Sequence, residues 1–239
     1  MFSPFPLIGT AWTFMQKHTV LRTIGFWLLI LPMFVINLLT RFVLPPSVAT
    51  PNGTPLTAIV LLMFAIGILT VWGEACVLVV GKRLLQHNAG RTRTSLRSVA
   101  RQGSRFIVPL LLTGLLRGCF TLLWMLLLII PGIIYSLSTS FYPIIVVCTG
   151  KSYRPALQAS KAVLRGQWSR SILSLIALAI TTFLPLAVLS AILEIFAQSP
   201  MINVAIDLID SVLLGIGTIL FTLGMIVLYG RLKKSAKNA

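Results

Sequence analysis

The sequence predicts an all-α, polytopic membrane protein with six transmembrane helices and amphipathic helices on its cytoplasmic surface. Two observations predict it. Apolar windows long enough to cross a bilayer recur along a chain that is 57% hydrophobic and only 10% charged, against about 25% charge in a soluble domain. The charge that is present is also segregated. With spans drawn at about 24–44, 56–80, 106–130, 133–149, 171–193 and 204–230, all of the 20 Lys and Arg except Arg41 and Arg117 fall in alternate connections. Basic residues collect in cytoplasmic loops, so both termini are expected in the cytoplasm. The whole chain, 1–239, reads as one integral membrane domain.

The elements follow in order. Residues 8–22, with Trp12, Phe14, Lys17, His18 and Arg22, carry a weak amphipathic pattern and are expected as a surface helix. The apolar segment behind them is long for a signal-peptide core, so it reads as a retained first span. The connection PPSVATPNGTP holds no basic residue. After the second span, residues 81–105 carry Lys82, Arg83, Arg91, Arg93, Arg97, Arg101 and Arg105. At helical spacing Arg93, Arg97, Arg101 and Arg105 share one face. Leu96, Val99, Ala100, Gly103, Phe106 and Ile107 take the other, which predicts a helix over 92–105 lying on the membrane surface.

The run from Phe106 to Thr149 is broken only by Arg117 among charged residues. As one helix it would be about 66 Å long, against a hydrocarbon core of about 30 Å. It must fold back, and Pro131-Gly132 lies where the turn is needed, since proline cannot continue the ladder and glycine accepts a reversed backbone. In the following loop Leu157, Leu164 and Trp168 form an apolar stripe beside Arg154, Lys161 and Arg165, which predicts a second surface helix over 153–168. The connection AQSPMIN again lacks basic residues, and the tail carries Arg231, Lys233, Lys234 and Lys237. The chain therefore reads as three units of pattern, each a surface helix followed by a two-span hairpin.

One stretch carries a recognisable order. PGIIYSLSTSFYPIIVVCTGKSYRPALQASKAVLRGQW places Pro131, Gly132 and Pro143 ahead of Ala156, Leu157, Ser160, Leu164, Gly166 and Trp168. It resembles the YciC-like bacterial inner-membrane proteins and the membrane domain attached to some glycerophosphodiester phosphodiesterases. The resemblance implies a multi-span protein of the bacterial cytoplasmic membrane concerned with the envelope or with lipids. Those families often carry an acid near the end of the second span of this unit. Cys148 and Thr149 stand there instead, so no role of that acid is carried over. The phosphodiesterase domain lies outside this resemblance, and its activity is not carried over either.

Few residues offer chemistry. A net charge of +16 in a soluble protein points to nucleic acid; here the bilayer accounts for it and no nucleic-acid partner is expected. Cys76, Cys119 and Cys148 sit in apolar stretches without metal spacing, and the sequence sets no further ligand at metal spacing from His18 or His87, so neither metal nor cofactor is expected. No HExxH, GxSxG, Walker or dinucleotide motif is present, and the chain reads as a non-enzyme. Glu74 and Arg117 are the two charges placed well inside spans. Intramembrane charges normally pair, so the two are expected to meet, as a structural pair or as a site for a polar substrate group. Ser136, Ser138, Thr139 and Ser140 give the fourth span a polar path or bond their own helix. Asp207 and Asp210 read as interfacial acids or as a cation site.

The function expected from these residues is lipid or envelope handling. Arg93, Arg97, Arg101, Arg105, Arg154, Lys161 and Arg165 would engage anionic lipid headgroups. The alternative is a small transporter or permease component, its polar path formed by Glu74, Arg117 and the fourth span.

Overall fold

The apolar runs fold into long helices in the computed structural model, which describes residues 4–42, 56–85, 95–196 and 199–237. Helix α1 spans Pro4–Lys17 and α2 Thr19–Gly25, continued by a π-helical turn at Phe26–Ile30 and α3, Leu31–Phe42. Next come α4 (Leu56–Leu85), α5 (Leu96–Leu127), α6 (Ile129–Ser138) and α7 (Tyr142–Thr149). Helices α8 (Tyr153–Leu164), α9 (Trp168–Ile195) and α10 (Pro200–Lys237) complete the described chain. Among the described residues six segments are long and apolar enough to cross a membrane, ending at Arg41, Leu85, Leu127, Thr149, Ile195 and Lys234. The protein is a multi-pass, all-α membrane protein.

The core lies where α4, α7 and α10 meet. Ala75 to Leu78 of α4, Ile144 to Val147 of α7, and Leu223, Ile226 and Leu228 of α10 are all buried there. Lipid tails are as apolar as leucine, so close packing rather than water exclusion holds such helices together. Gly103 shows how tight the contact is: a Cβ there would meet the Cys76 Sγ at 2.5 Å. Outside the core, leucines and isoleucines near the α5–α6 connection are exposed, which suits contact with acyl chains.

Four expectations are corrected. The N-terminal helix is not a surface element: Leu7, Ala11 and Phe14 form a buried stripe packed on α9 and α10. The predicted surface helix 92–105 and the third span form one 32-residue helix, α5, capped by the Ser95 side chain accepting from Ser98 N–H. The middle of its apolar face packs against α4, while Leu96 stays exposed. Val99 and Gly103 are buried, and the Trp72 indole N–H donates to the Ala100 carbonyl at 3.1 Å. Arg93 lies outside the described residues, as do Arg91 and His87.

The hairpin turn also falls elsewhere. Leu128, at φ −158° and ψ 128°, breaks the helix, three positions before Pro131. Pro131 sits in the first turn of α6, where a missing N–H costs no helical hydrogen bond. Gly132 is helical too, and its N–H donates to the Leu128 carbonyl at 3.3 Å. Its smallness serves packing, since a Cβ would lie 2.9 Å from both backbone N and Cα of Met125. The second surface helix ends at Leu164 rather than 168; Gly166 takes φ 87°, and Trp168 opens α9.

Candidate polar site at the break in the fourth span

The fourth span is two half-helices. Helix α6 has 10 residues and α7 has 8, each about half the hydrocarbon thickness. The sequence STSFYP explains the break. Pro143 has no N–H to return to the Thr139 carbonyl. The hydroxyls of Thr139 and Ser140 donate back to the Tyr135 and Ser136 carbonyls, at 2.8 and 3.0 Å, competing with the helical ladder.

A break inside a membrane leaves backbone groups that must be satisfied within the protein. Ser160, fully buried on α8, performs this for two of them. Its hydroxyl donates to the Ser138 carbonyl at 3.0 Å and accepts from the Phe141 N–H at 3.2 Å. The Trp168 indole N–H donates to the Ser138 hydroxyl at 3.1 Å. Cations close the C-terminal ends of both half-helices, where the helix dipole is negative. Arg117 donates to the Ser136 carbonyl at 2.8 Å, its hydroxyl at 3.1 Å and the Thr139 hydroxyl at 3.0 Å. Lys82 donates to the Val147 carbonyl at 3.3 Å.

The expected ion pair of Glu74 with Arg117 is not formed. Arg117 spends its donors on the end of α6, and no acid lies within 4.0 Å of it among the described residues. Glu74 is half-buried on α4 and has no hydrogen-bond partner among the described residues. The Arg117 guanidinium lies 5.4 Å from the Tyr142 ring centroid. The sequence reading rests on similar depth along two helices. Depth alone does not say which way each side chain turns.

Of the four polar residues expected in span four, Ser136, Ser138 and Thr139 converge on the break with Arg117 or Trp168, and Ser140 bonds only its own helix. Sequence reading missed Ser160 and Trp168 as partners of the break, although both belong to the motif singled out for its resemblance. The acids at the other end of the bundle are engaged. Arg41 forms a two-pronged ion pair with Asp207, at 2.7 Å for each contact, and Ser190 donates to Asp210 at 2.5 Å. The partners of Asp207 and Asp210 in the structure are thus Arg41 and Ser190. Among the described residues no group of three His, Cys, Asp and Glu gathers, and the cysteines are free.

The basic residues behave differently. Arg97, Arg101 and Arg105 are exposed along α5, and Arg105 lines a cleft with Lys82 and Arg83 of α4. On α8, Arg154 stacks over Phe120 at 5.7 Å and Lys161 over Tyr135 at 4.2 Å, while Arg165 is exposed at the helix end. None of these six has an ion-pair partner among the described residues. Comparison with family models, curated proteins and solved structures finds no match to this chain.

Proposed function

We propose that this is a non-enzymatic protein of the bacterial cytoplasmic membrane, concerned with lipid or envelope handling, whose basic residues engage anionic lipid headgroups. Both termini and the basic ends of α5 and α8 face the cytoplasm in this reading, by the positive-inside rule. The order of Pro131, Gly132, Pro143, Ser160 and Trp168, which resembles the YciC-like proteins, supports it. The observation that carries it is the unpaired basic face. Arg97, Arg101, Arg105, Arg154, Lys161 and Arg165 have no acidic partner in the described chain, so their counter-charge must come from outside it. Each Lys or Arg beside an anionic leaflet is worth about 1 kcal/mol. The test is the lipid that co-purifies with the whole protein. Replacing Arg97, Arg101 and Arg105 by Gln should lower the ratio of acidic to zwitterionic lipid; an unchanged ratio contradicts the proposal.

The broken fourth span favours a second reading, a transporter component. Discontinuous helices line substrate paths in many transporters, and Glu74 has no hydrogen-bond partner of its own among the described residues. In a background with Cys76, Cys119 and Cys148 replaced, cysteine at position 140 or 142 should react with a membrane-impermeant thiol reagent if a polar path exists. Protection from both sides favours the lipid reading.

A further inference from the structure

We infer that the cleft where the C-terminal ends of α4, α7 and α10 meet binds a phosphate-bearing anion, held by Lys82, Arg231, Lys233 and Lys234. The inference goes beyond the lipid reading above and uses none of the residues that carry it. The cleft is open and measures about 510 Å³, within the roughly 300–1,000 Å³ of small-molecule sites. All four cations line it. The helix ends that form it are level with one another. Lys82 of α4 donates to the Val147 carbonyl of α7 at 3.3 Å, and a Cβ at Gly230 of α10 would lie 2.7 Å from Cδ2 of Leu85. In the six-span reading these are the cytoplasmic ends of the second, fourth and sixth spans. A phosphate held here lies at headgroup depth, in reach of water, and not in the hydrocarbon.

Two observations point to an anion. The first is charge without compensation: none of the four cations has an ion-pair partner among the described residues. The C-terminal ends of α4 and α7 open on the cleft and offset only about half a charge each, which leaves a clear positive excess. Lys82 spends one N–H on Val147 and keeps two of its three for a ligand. The second observation is Tyr229. It is only 4% exposed, packs its ring on Phe141 and lines the cleft, and its hydroxyl has no hydrogen-bond partner among the described residues. A buried hydroxyl left unpaired is costly, and a phosphate oxygen beside the cations would accept from it.

Topology alone does not account for this arrangement. The positive-inside rule explains why basic residues lie on this side, but not why cations from two helices converge with a buried hydroxyl on one cavity. A phosphate group brings up to two negative charges and several strong acceptor oxygens, which four cations and one hydroxyl can share. Leu84, Leu85 and Val227 add apolar lining for the organic part of the ligand. A lipid headgroup and a soluble phosphate compound share this chemistry. A lipid would stand upright here, its chains running from the helix ends toward the bilayer centre.

Cys148 lines the cleft and is partly exposed, so its reaction with a thiol reagent reads occupancy. The experiment uses the full chain in detergent with Cys119→Ala; Cys76 is fully buried and stays. Labelling rates of Cys148 are compared with and without pyrophosphate, phosphatidylglycerol or phosphatidylcholine at matched ionic strength. Pyrophosphate or phosphatidylglycerol should slow labelling saturably, and phosphatidylcholine should not. Lys233→Gln with Lys234→Gln, at two exposed positions, should raise the half-protecting concentration about thirtyfold. Tyr229→Phe, which removes only the hydroxyl, should raise it about fivefold. Protection by pyrophosphate makes the ligand a soluble phosphate compound, and protection by phosphatidylglycerol alone makes it a lipid headgroup. Protection by neither, or equal protection by phosphatidylcholine, overturns the site, as does a half-protecting concentration unchanged in either variant. The lipid reading is tested separately, by the acidic lipid retained through Arg97, Arg101 and Arg105.

Discussion

Ser160 on α8 closes the gap in the fourth span, donating to the carbonyl of Ser138 and accepting from the N–H of Phe141. The helix that carries Arg154 and Lys161 is thereby fastened to the break that Arg117 caps from the other side. The basic surface and the polar interior of the bundle are one connected unit.

Ser160→Ala should destabilise the protein by about 1–3 kcal/mol, because it strands a buried donor and a buried acceptor at once. Ser140→Ala is the control, since the Ser140 hydroxyl only returns to its own helix at the Ser136 carbonyl. Thermal unfolding in one detergent compares them. Equal midpoints for the two variants would mean that the Ser160 bridge contributes nothing.

Arg117 should be coupled to Thr139 more strongly than to Glu74. A double-mutant cycle of Arg117→Gln with Thr139→Val is expected to give an interaction of about 1 kcal/mol. The cycle of Arg117→Gln with Glu74→Gln should give less, as the two charges do not touch. A reversed order would restore the direct pair expected from the sequence.

Pro131 and Gly132 should respond unequally. Gly132→Ala forces a Cβ against Met125 backbone atoms at 2.9 Å, an overpacking worth about 1–3 kcal/mol. Pro131→Ala, in the first turn of α6, should stay within about 0.5 kcal/mol of wild type. Comparable losses at both positions would favour a turn made by the Pro-Gly pair itself.

Orientation is testable with cysteines at exposed positions in a cysteine-free background. Gln158 and Lys234 are exposed at the basic end, and Met201 is exposed at the start of α10. An impermeant reagent added outside intact cells should label position 201 and spare 158 and 234. Labelling of 158 from outside contradicts the assigned orientation. Position 160 is unsuitable, because its side chain is fully buried.

Helix number and order were legible because bilayer thickness sets span length and charge avoids the hydrocarbon. The finer errors share a cause. A helical wheel at 93–107 says that one face is covered but not by what, and the cover is Cys76 and Trp72 of α4. A Pro-Gly pair marks a boundary within a few residues, and proline is as content in the first turn of α6 as in the turn before it. Ser160 was invisible as a bridge, since a serine on a basic helix looks solvated until its neighbours are known. Arg41 and Asp207 meet across more than 160 positions of sequence, beyond any spacing rule.

The central claim is that anionic lipid supplies the counter-charge the described chain lacks, and its most direct measurement is stability in lipid nanodiscs of defined headgroup. The unfolding temperature should be higher in phosphatidylglycerol than in phosphatidylcholine with the same chains. The difference should shrink as salt screens the contact, and in the variant with Arg97, Arg101 and Arg105 changed to Gln. An unfolding temperature that is the same in both lipids at low salt would contradict the account.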